Sequence, residues 1–349
     1  MAGTYDLWIE GKVFQMKDED EDKYIVVCCA KNENDYIIEF VEHYFKLGFD
    51  KIMIADNNEI GDDSLSKTLS EYVNDGRVEI FDLRGMKLFM ANFYSMFSRE
   101  GNYKWAFYCD CDEFLEFNGY DNVKDFLSTK ENVNAIDINW VTYCNNGLIV
   151  KDNGGVQERF NYPIPLICRE NLQRKSLLNG NFKTVYGIHT YADNPCPYEV
   201  FPSYREAYLK HYKHKSIEEQ LAVVNRGSGC NTSYVSPVHF LPEAKSYHDM
   251  LLKIHDLRYY NAGHKDFDKN YEVYSFRAND MPGVLRAEFD MVCDMMATTG
   301  KYFCLETKMD IPDYMFNLLF EYALHTGNKF CIGLPNIHGG NFNFLYWPY

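Results

Sequence analysis

The chain has 349 residues, 46% hydrophobic and 25% charged, enough apolar material for one large core or two modest ones. Fifty-one Asp and Glu stand against 35 Lys and Arg, and the net charge of -16 repels phosphate polymers, which excludes general nucleic-acid binding. No run of about 18 apolar residues occurs, and Met1 to Asp22 alternates in polarity before an acidic run, so neither a transmembrane segment nor a secretory leader is expected.

Cysteine usage points the same way. The eleven cysteines are odd in number, and Cys28, Cys29, Cys109 and Cys111 lie inside apolar runs, where a thiol behaves as a small hydrophobe. A reducing compartment, the cytoplasm, is expected, with peripheral membrane contact as the alternative. Without Cys-x-x-Cys pairs a thiolate zinc site is not expected. The 28 Tyr and 25 Phe suit sugar stacking, but coding bias accounts for them equally well.

In chain order, residues 1–23 read as an N-terminal extension or edge hairpin, an alternating stretch from Tyr5 to Met16 broken at Gly11, then a solvated acidic loop from Asp18 to Asp22. From Tyr24 the pattern changes. The run YIVVCCA has buried-strand length, and the helix after it puts Ile37, Ile38, Val41, Tyr44 and Phe45 on one face, with Gly48 as its C-terminal cap. The unit repeats: a strand from Lys51 to Asp56, a helix from Asp63 to Val73 capped by Asp62 or Ser64, a strand from Arg77 to Asp82, a helix from Lys87 to Arg99, and a strand from Lys104 to Asp110. This alternation predicts an α/β fold with a mostly parallel sheet flanked by helices. Further strands are expected over AIDINWVTY, FKTVYGIHTY and Leu209 to Tyr212. Ser216 and Glu219 form a capping box that starts a helix running to Arg226. Residues 236–349 read as mainly helical, notably SYHDMLLKIHDLRYY and DYMFNLLFEYALH, and the aromatic end from Phe342 reads as a docking tail or as core.

Ligands of open parallel sheets bind beyond the carboxyl ends of the strands. Those ends carry Lys31, Asn32 and Glu33, then Asp56 and Asn57, then Asp82, then Asp110, Cys111, Asp112 and Glu113. The edge is acidic and has no Gly-rich phosphate cradle, so a dinucleotide dehydrogenase and a P-loop enzyme are both excluded. A phosphate bound here needs a cation. Two carboxylates two residues apart in a strand share a side at about 7 Å, and Asp110 and Asp112 can hold Mn²⁺ or Mg²⁺. The alternative, a solvated acidic turn, leaves the flanking apolar residues Phe107, Tyr108, Phe114 and Leu115 unexplained. His211 is a candidate third ligand, and Lys215 and Arg226 can meet a diphosphate; each reads equally as a core or solvated side chain. Glu33 and Asp56 suit a uracil or ribose, or simply cap loops.

The order of KNENDYIIEFVEHYFKLGFDKIMIADNN, WAFYCDCDEFLEF, INW, ERF, KTV and the pair His211-Tyr212 ahead of Lys215-Ser216 resembles the glycosyltransferase family 2-like and family 92 group, over residues 24 to 230. The resemblance implies an A-type glycosyltransferase fold, Rossmann-like. It implies a nucleotide-sugar-binding catalytic domain over residues 24–235, followed by a C-terminal region that could bind the acceptor. It implies metal-dependent, inverting transfer of a hexose, galactose or glucose, from a UDP-sugar to a glycan or lipid-linked acceptor. On this reading Asp110 and Asp112 hold the cation, and Lys31 to Glu33 and Asp56 with Asn57 contact the nucleotide. The general base is Glu158, His189 or Glu113, with Glu158 first; Glu158 reads equally as an ion pair with Arg159, and Trp140 as a sugar platform or as core. An aspartyl-nucleophile phosphoryl-transfer enzyme and a non-catalytic carbohydrate-binding protein are the competing readings.

Overall fold

The computed structural model describes residues 4–9, 11–17, 20–86, 90–130, 132–144, 150–163, 173–189, 199–200 and 206–216, single positions near these, and five short segments beyond residue 257. The chain divides into two compact units, one made of Met1–Tyr162, Arg174–Val200 and Ala207–Phe240, the other of Pro163–Gln173, Phe201–Glu206 and Leu241–Tyr349.

The first unit begins with a hairpin, β1 (Thr4–Ile9) and β2 (Lys12–Lys17), turned at Gly11 with φ +82. Its alternation is realised: Leu7, Ile9 and Met16 enter the core while Trp8 stays exposed. The acidic loop after it is not wholly solvated. Asp20 is buried, because its carboxylate lies 2.8 Å from Lys51 and 2.7 Å from Lys23, and these cations offset its desolvation.

The main sheet contains β3 (Tyr24–Ala30), β4 (Lys51–Asp56), β5 (Val78–Asp82), β6 (Trp105–Tyr108), β7 (Glu113–Phe117), β8 (Ala135–Thr142), β9 (Arg174–Asn179), β10 (Glu199–Val200) and β11 (Ala207–His211). Its order is β5-β4-β3-β6-β9-β8-β11-β7, with β10 beside β8. The first four strands are parallel, as the alternating pattern predicts. The other half is mixed: β9 runs antiparallel to both β6 and β8, and β11 is parallel to β8 but antiparallel to β7.

Helices α1 (Ile37–Lys46), α2 (Leu65–Thr68), α3 (Ser70–Asn74), α4 (Met90–Glu100), α5 (Val123–Ser128) and α6 (Val156–Arg159) flank the strands in sequence. Helix α1 buries Ile37, Phe40, Val41 and Tyr44, each worth roughly 1.5–3 kcal/mol of transfer free energy. Ile38 and Phe45, expected on that face, lie off it; Ile38 is exposed, and Phe45 stacks on Tyr72. Gly48 ends the helix at φ +85, where a Cβ would come within 3.0 Å of Asn122. The hydroxyl of Tyr44 donates to the carbonyl of Glu113 at 2.9 Å, tying α1 to the start of β7.

Three local readings are corrected. The helix expected from Asp63 to Val73 breaks into α2 and α3 at Leu69, and no side chain caps α2 at Ser64; Asp56 accepts from the Leu65 amide at 2.9 Å instead. FKTVYGIHTY is not a strand. Apart from an isolated bridge between Tyr186 and Tyr191 it is irregular, and the strand forms one segment earlier, as β9.

The third correction is in the second unit, described by β12 (Arg258–Asn261), β13 (Tyr271–Ser275), β14 (Tyr302–Glu306), β15 (Phe330–Leu334) and β16 (Asn343–Trp347), a mixed sheet in the order β12-β16-β15-β14-β13. Arg258 to Tyr260, expected to end a helix, pair with β16 as strand, in keeping with the β-preference of adjacent tyrosines. The rest of that helix and the one expected over residues 313–325 lie outside the described residues. The aromatic end is the strand β16.

Candidate active site

The site is built at the carboxyl ends of β3, β4 and β6, where the backbone leaves the sheet. Asn32 turns the chain after β3 with φ 57, a left-handed conformation that Asn tolerates better than most residues, and its amide donates to Asn58 Oδ1 at 2.7 Å. Lys31 pairs with Glu59 at 2.7 Å. Asp56 is buried and both its oxygens accept backbone amides, from Asn58 and Leu65; burial raises its carboxyl above the ordinary range. Asn57 donates to the carbonyls of Leu83 and Met86. These hydrogen bonds make Asp56 and Asn57 loop-closing residues.

Strand β6 stops at Tyr108, and residues 109–112 form a turn in which Glu113 N donates to the Asp110 carbonyl at 3.1 Å and Asp110 N donates to Glu113 Oε2 at 2.8 Å. The alternation that would align Asp110 with Asp112 is lost, and the two carboxylates have different partners. Asp110 accepts from Tyr94 at 3.0 Å and from Lys175 at 2.9 Å. Asp112 faces His211, its Oδ1 3.7 Å from Nε2, beyond hydrogen-bond distance. The Tyr212 amide donates to the Asp112 carbonyl at 2.8 Å, which fixes the end of β11 against the turn.

Lys175, which the sequence reading missed, is wholly buried on β9, with Glu113 Oε2 at 3.8 Å as well as Asp110. Burial lowers a lysine's pKa, but Asp110 and Glu113 outweigh it and hold the ammonium charged. Glu113 is also wholly buried, its Oε1 has no hydrogen-bond partner, and burial pushes its carboxyl well above the usual range. Only the antiparallel insertion of β9 brings this cation to the turn.

Burial lowers the pKa of His211, more than Asp112 raises it, so its imidazole is neutral, and its Nδ1 is buried without a hydrogen-bond partner. A carboxylate suits a hard cation such as Mg²⁺ or Mn²⁺ and a neutral imidazole suits a more borderline divalent ion, so Asp112 with His211 fits Mn²⁺ better than Mg²⁺. Asp110 is engaged by Tyr94 and Lys175, and among the described residues no three His, Cys, Asp or Glu side chains gather as a metal-ligand set.

Between the end of β3 and the start of α1 opens a cleft of about 220 Å³, lined in part by Asn32, Glu33, Tyr36, Lys151, Lys215 and Glu219. Glu33 and Lys215 are both buried, 4.0 Å apart. The Cys111 thiol connects the two areas. Its contact with Cys28 lowers its pKa, but burial and the carboxylates of Glu33, Asp112 and Asp110 raise it further.

The predicted capping box is present, Ser216 and Glu219 each receiving the other's amide, at 3.1 and 3.3 Å. Glu219 also takes both guanidinium nitrogens of Arg159, at 3.0 and 2.9 Å, and the Tyr36 hydroxyl. Arg159 therefore pairs with Glu219 and not with Glu158, which is exposed on α6. His189 is half-buried and its Nδ1 lies 3.0 Å from the Arg174 carbonyl. Trp140 is buried between His211 and His189. Arg226 lies outside the described residues.

Residues 23–226, more than half of the chain, match Glycosyltransferase family 92, and the chain belongs to this family. The parallel half-sheet with its acidic carboxyl edge is the A-type fold that the motif order implies. A search of the curated proteins gives no match. Among solved structures the chain is similar to S. aureus TarS 1-349 in complex with UDP-GlcNAc, at 12% identity and a TM-score of 0.35, covering 62% of each chain. It is also similar to GalNAc-T7 with UDP, GalNAc and Mn²⁺, at 14% identity and a TM-score of 0.36, covering 61% of this chain and 47% of that one. A third is the mannosyltransferase PcManGT from Pyrobaculum calidifontis in complex with GDP-Man and Mn²⁺, at 9% identity and a TM-score of 0.28, covering 46% of each. The chain thus spans about half to three-fifths of the length of these three structures.

Proposed function

We propose that this protein is a divalent-metal-dependent, inverting glycosyltransferase that moves a hexose, galactose or glucose, from a UDP-sugar to a glycan or lipid-linked acceptor. The observation that carries the reading is the pairing of Asp112 with a neutral, buried His211 at the carboxyl edge of a sheet whose β3 end opens on a cleft lined by charged side chains. Mn²⁺ or Mg²⁺ held by Asp112 and His211 would neutralise charge on the leaving diphosphate. Asp110, clamped by Lys175, holds the turn from which Asp112 projects.

The cleft would take the nucleotide. Asn32 and Glu33 offer acceptors to the base or ribose, and Lys215 offers charge to a phosphate. His189 is the base we assign: an Nδ1–H donated to the Arg174 carbonyl sets the tautomer whose Nε2 accepts a proton from the acceptor hydroxyl. Glu158 serves as its control. Residues 24–235 would form the catalytic domain and 236–349 the acceptor side. No described helix is long and apolar enough to cross a membrane, and the described cysteines are free thiols, which supports a reducing, cytoplasmic setting. Incubating the protein with a panel of nucleotide sugars and Mn²⁺ tests the reading. Turnover of a UDP-hexose is expected; release of inorganic phosphate from phosphomonoesters with UDP-sugars left intact would replace it with phosphoryl transfer.

A further inference from the structure

We propose that Trp140 is the positioning residue for His211, an inference that rests on the metal-site reading above. Strands β8 and β11 are parallel neighbours with Leu209 opposite Trp140 and His211 opposite Thr142. In that register the indole and the imidazole are diagonal neighbours on one face of the sheet. Their ring centroids lie 3.9 Å apart at an interplanar angle of 42°.

A metal-ligating histidine ordinarily has its ring fixed by a hydrogen bond from its second nitrogen. His211 has none: Nδ1 is buried and unpartnered, while Nε2 faces Asp112. What holds the ring is therefore contact with the indole. The indole in turn packs against His189, their ring centroids 5.2 Å apart at an interplanar angle of 82°. At 8% exposure Trp140 has little surface left for a sugar, so its contribution is to the orientation of His211. Without the indole the imidazole can rotate about its side-chain bonds, and Nε2 leaves its position opposite Asp112.

The test is the affinity of the purified protein for Mn²⁺ in the presence of UDP, read from the free-Mn²⁺ electron paramagnetic resonance signal and independent of turnover. Trp140→Leu should weaken Mn²⁺ about 10- to 100-fold, the range found when support of a metal ligand is removed. Trp140→Phe keeps an aromatic face and should stay within a few-fold of wild type. Wild-type affinity in Trp140→Leu, or an equal loss in Trp140→Phe, would overturn the proposal. Asp112→Asn and His211→Ala separate the two levels. If both bind Mn²⁺ like wild type, the metal-site reading itself fails; if both lose it while Trp140→Leu does not, only the positioning role fails. Should Trp140→Leu not fold, the ring protons of His211 in the wild-type proton spectrum decide. An upfield displacement by the indole supports the proposal, and ordinary positions overturn it.

Discussion

Replacing Lys175 by Met removes the charge behind the turn over residues 109–112 while keeping a side chain of similar length. In the folded protein Lys175 is wholly buried, with Asp110 at 2.9 Å and Glu113 at 3.8 Å. Breaking a buried pair by removing one partner costs about 3–5 kcal/mol, because the other charge stays desolvated. Asp110 keeps 25% of its side-chain surface and the hydrogen bond from Tyr94, so water recovers part of that loss. The lower end, about 3 kcal/mol, is therefore expected, corresponding to a drop in Tm of about 4 °C for a chain of this size. Urea unfolding followed by near-ultraviolet circular dichroism measures it. Lys175→Met combined with Asp110→Asn should be more stable than the sum of the two single losses, since the orphaned charge is gone. A Lys175→Met protein within 1 kcal/mol of wild type would refute the argument that this lysine neutralises the turn.

Glu219→Gln should destabilise by about 3 kcal/mol, because Arg159 and Glu219 are 4% and 6% exposed and the guanidinium would lose its counter-charge; chemical denaturation reads the loss. Burial raises the carboxyl of Glu219, but hydrogen bonds from Arg159, Ser216 and Tyr36 outweigh it and pull the pKa down to about 2. The unfolded carboxyl binds protons first, so this stability is complete above pH 4.5 and declines as pH falls toward 2. His43 has the same sign: burial lowers its pKa from 6.5 to about 4, so stability is lost as pH falls through that window. His43→Gln should flatten the pH dependence of Tm between those limits. Gly48→Ala should cost about 1–2 kcal/mol, since φ is +85 and Asn122 crowds the new Cβ; a Tm within 1 °C of wild type would contradict it. His189→Gln should lower kcat about 10²- to 10⁴-fold with Glu158→Gln near wild type, and the reverse order would reassign the base.

The parallel half of the fold was legible in the sequence because β3, β4 and β6 are buried along most or all of their length and read as largely apolar runs, as in YIVVCCA and KIMIAD, while the edge strand β5 follows the same strand-helix spacing. The mixed half was not. Strand β9 carries Arg174 and Lys175, charges that look solvent-directed until Asp137 and Asp110 are brought opposite them by pairings with no local signature. Within the site, Asp112 and His211 are readable from residue type and position, and the fold sets them face to face. That Asp110 and Asp112 have different partners was hidden, because it depends on β6 ending at Tyr108 and on a buried lysine more than 60 residues away. The capping box at Ser216 was readable as a local pattern, but the Arg159 and Tyr36 contacts that complete it span far longer separations.

Calorimetric titration of UDP into the full chain, with and without Mn²⁺, tests the central claim most directly when wild type and Asp112→Asn are compared side by side. Saturable, Mn²⁺-dependent binding by wild type is expected, with a loss of about tenfold or more in the variant, whose fold is unchanged because Asp112 sits at the edge of a turn. Equal binding by both proteins, or no binding by the wild type, would contradict it.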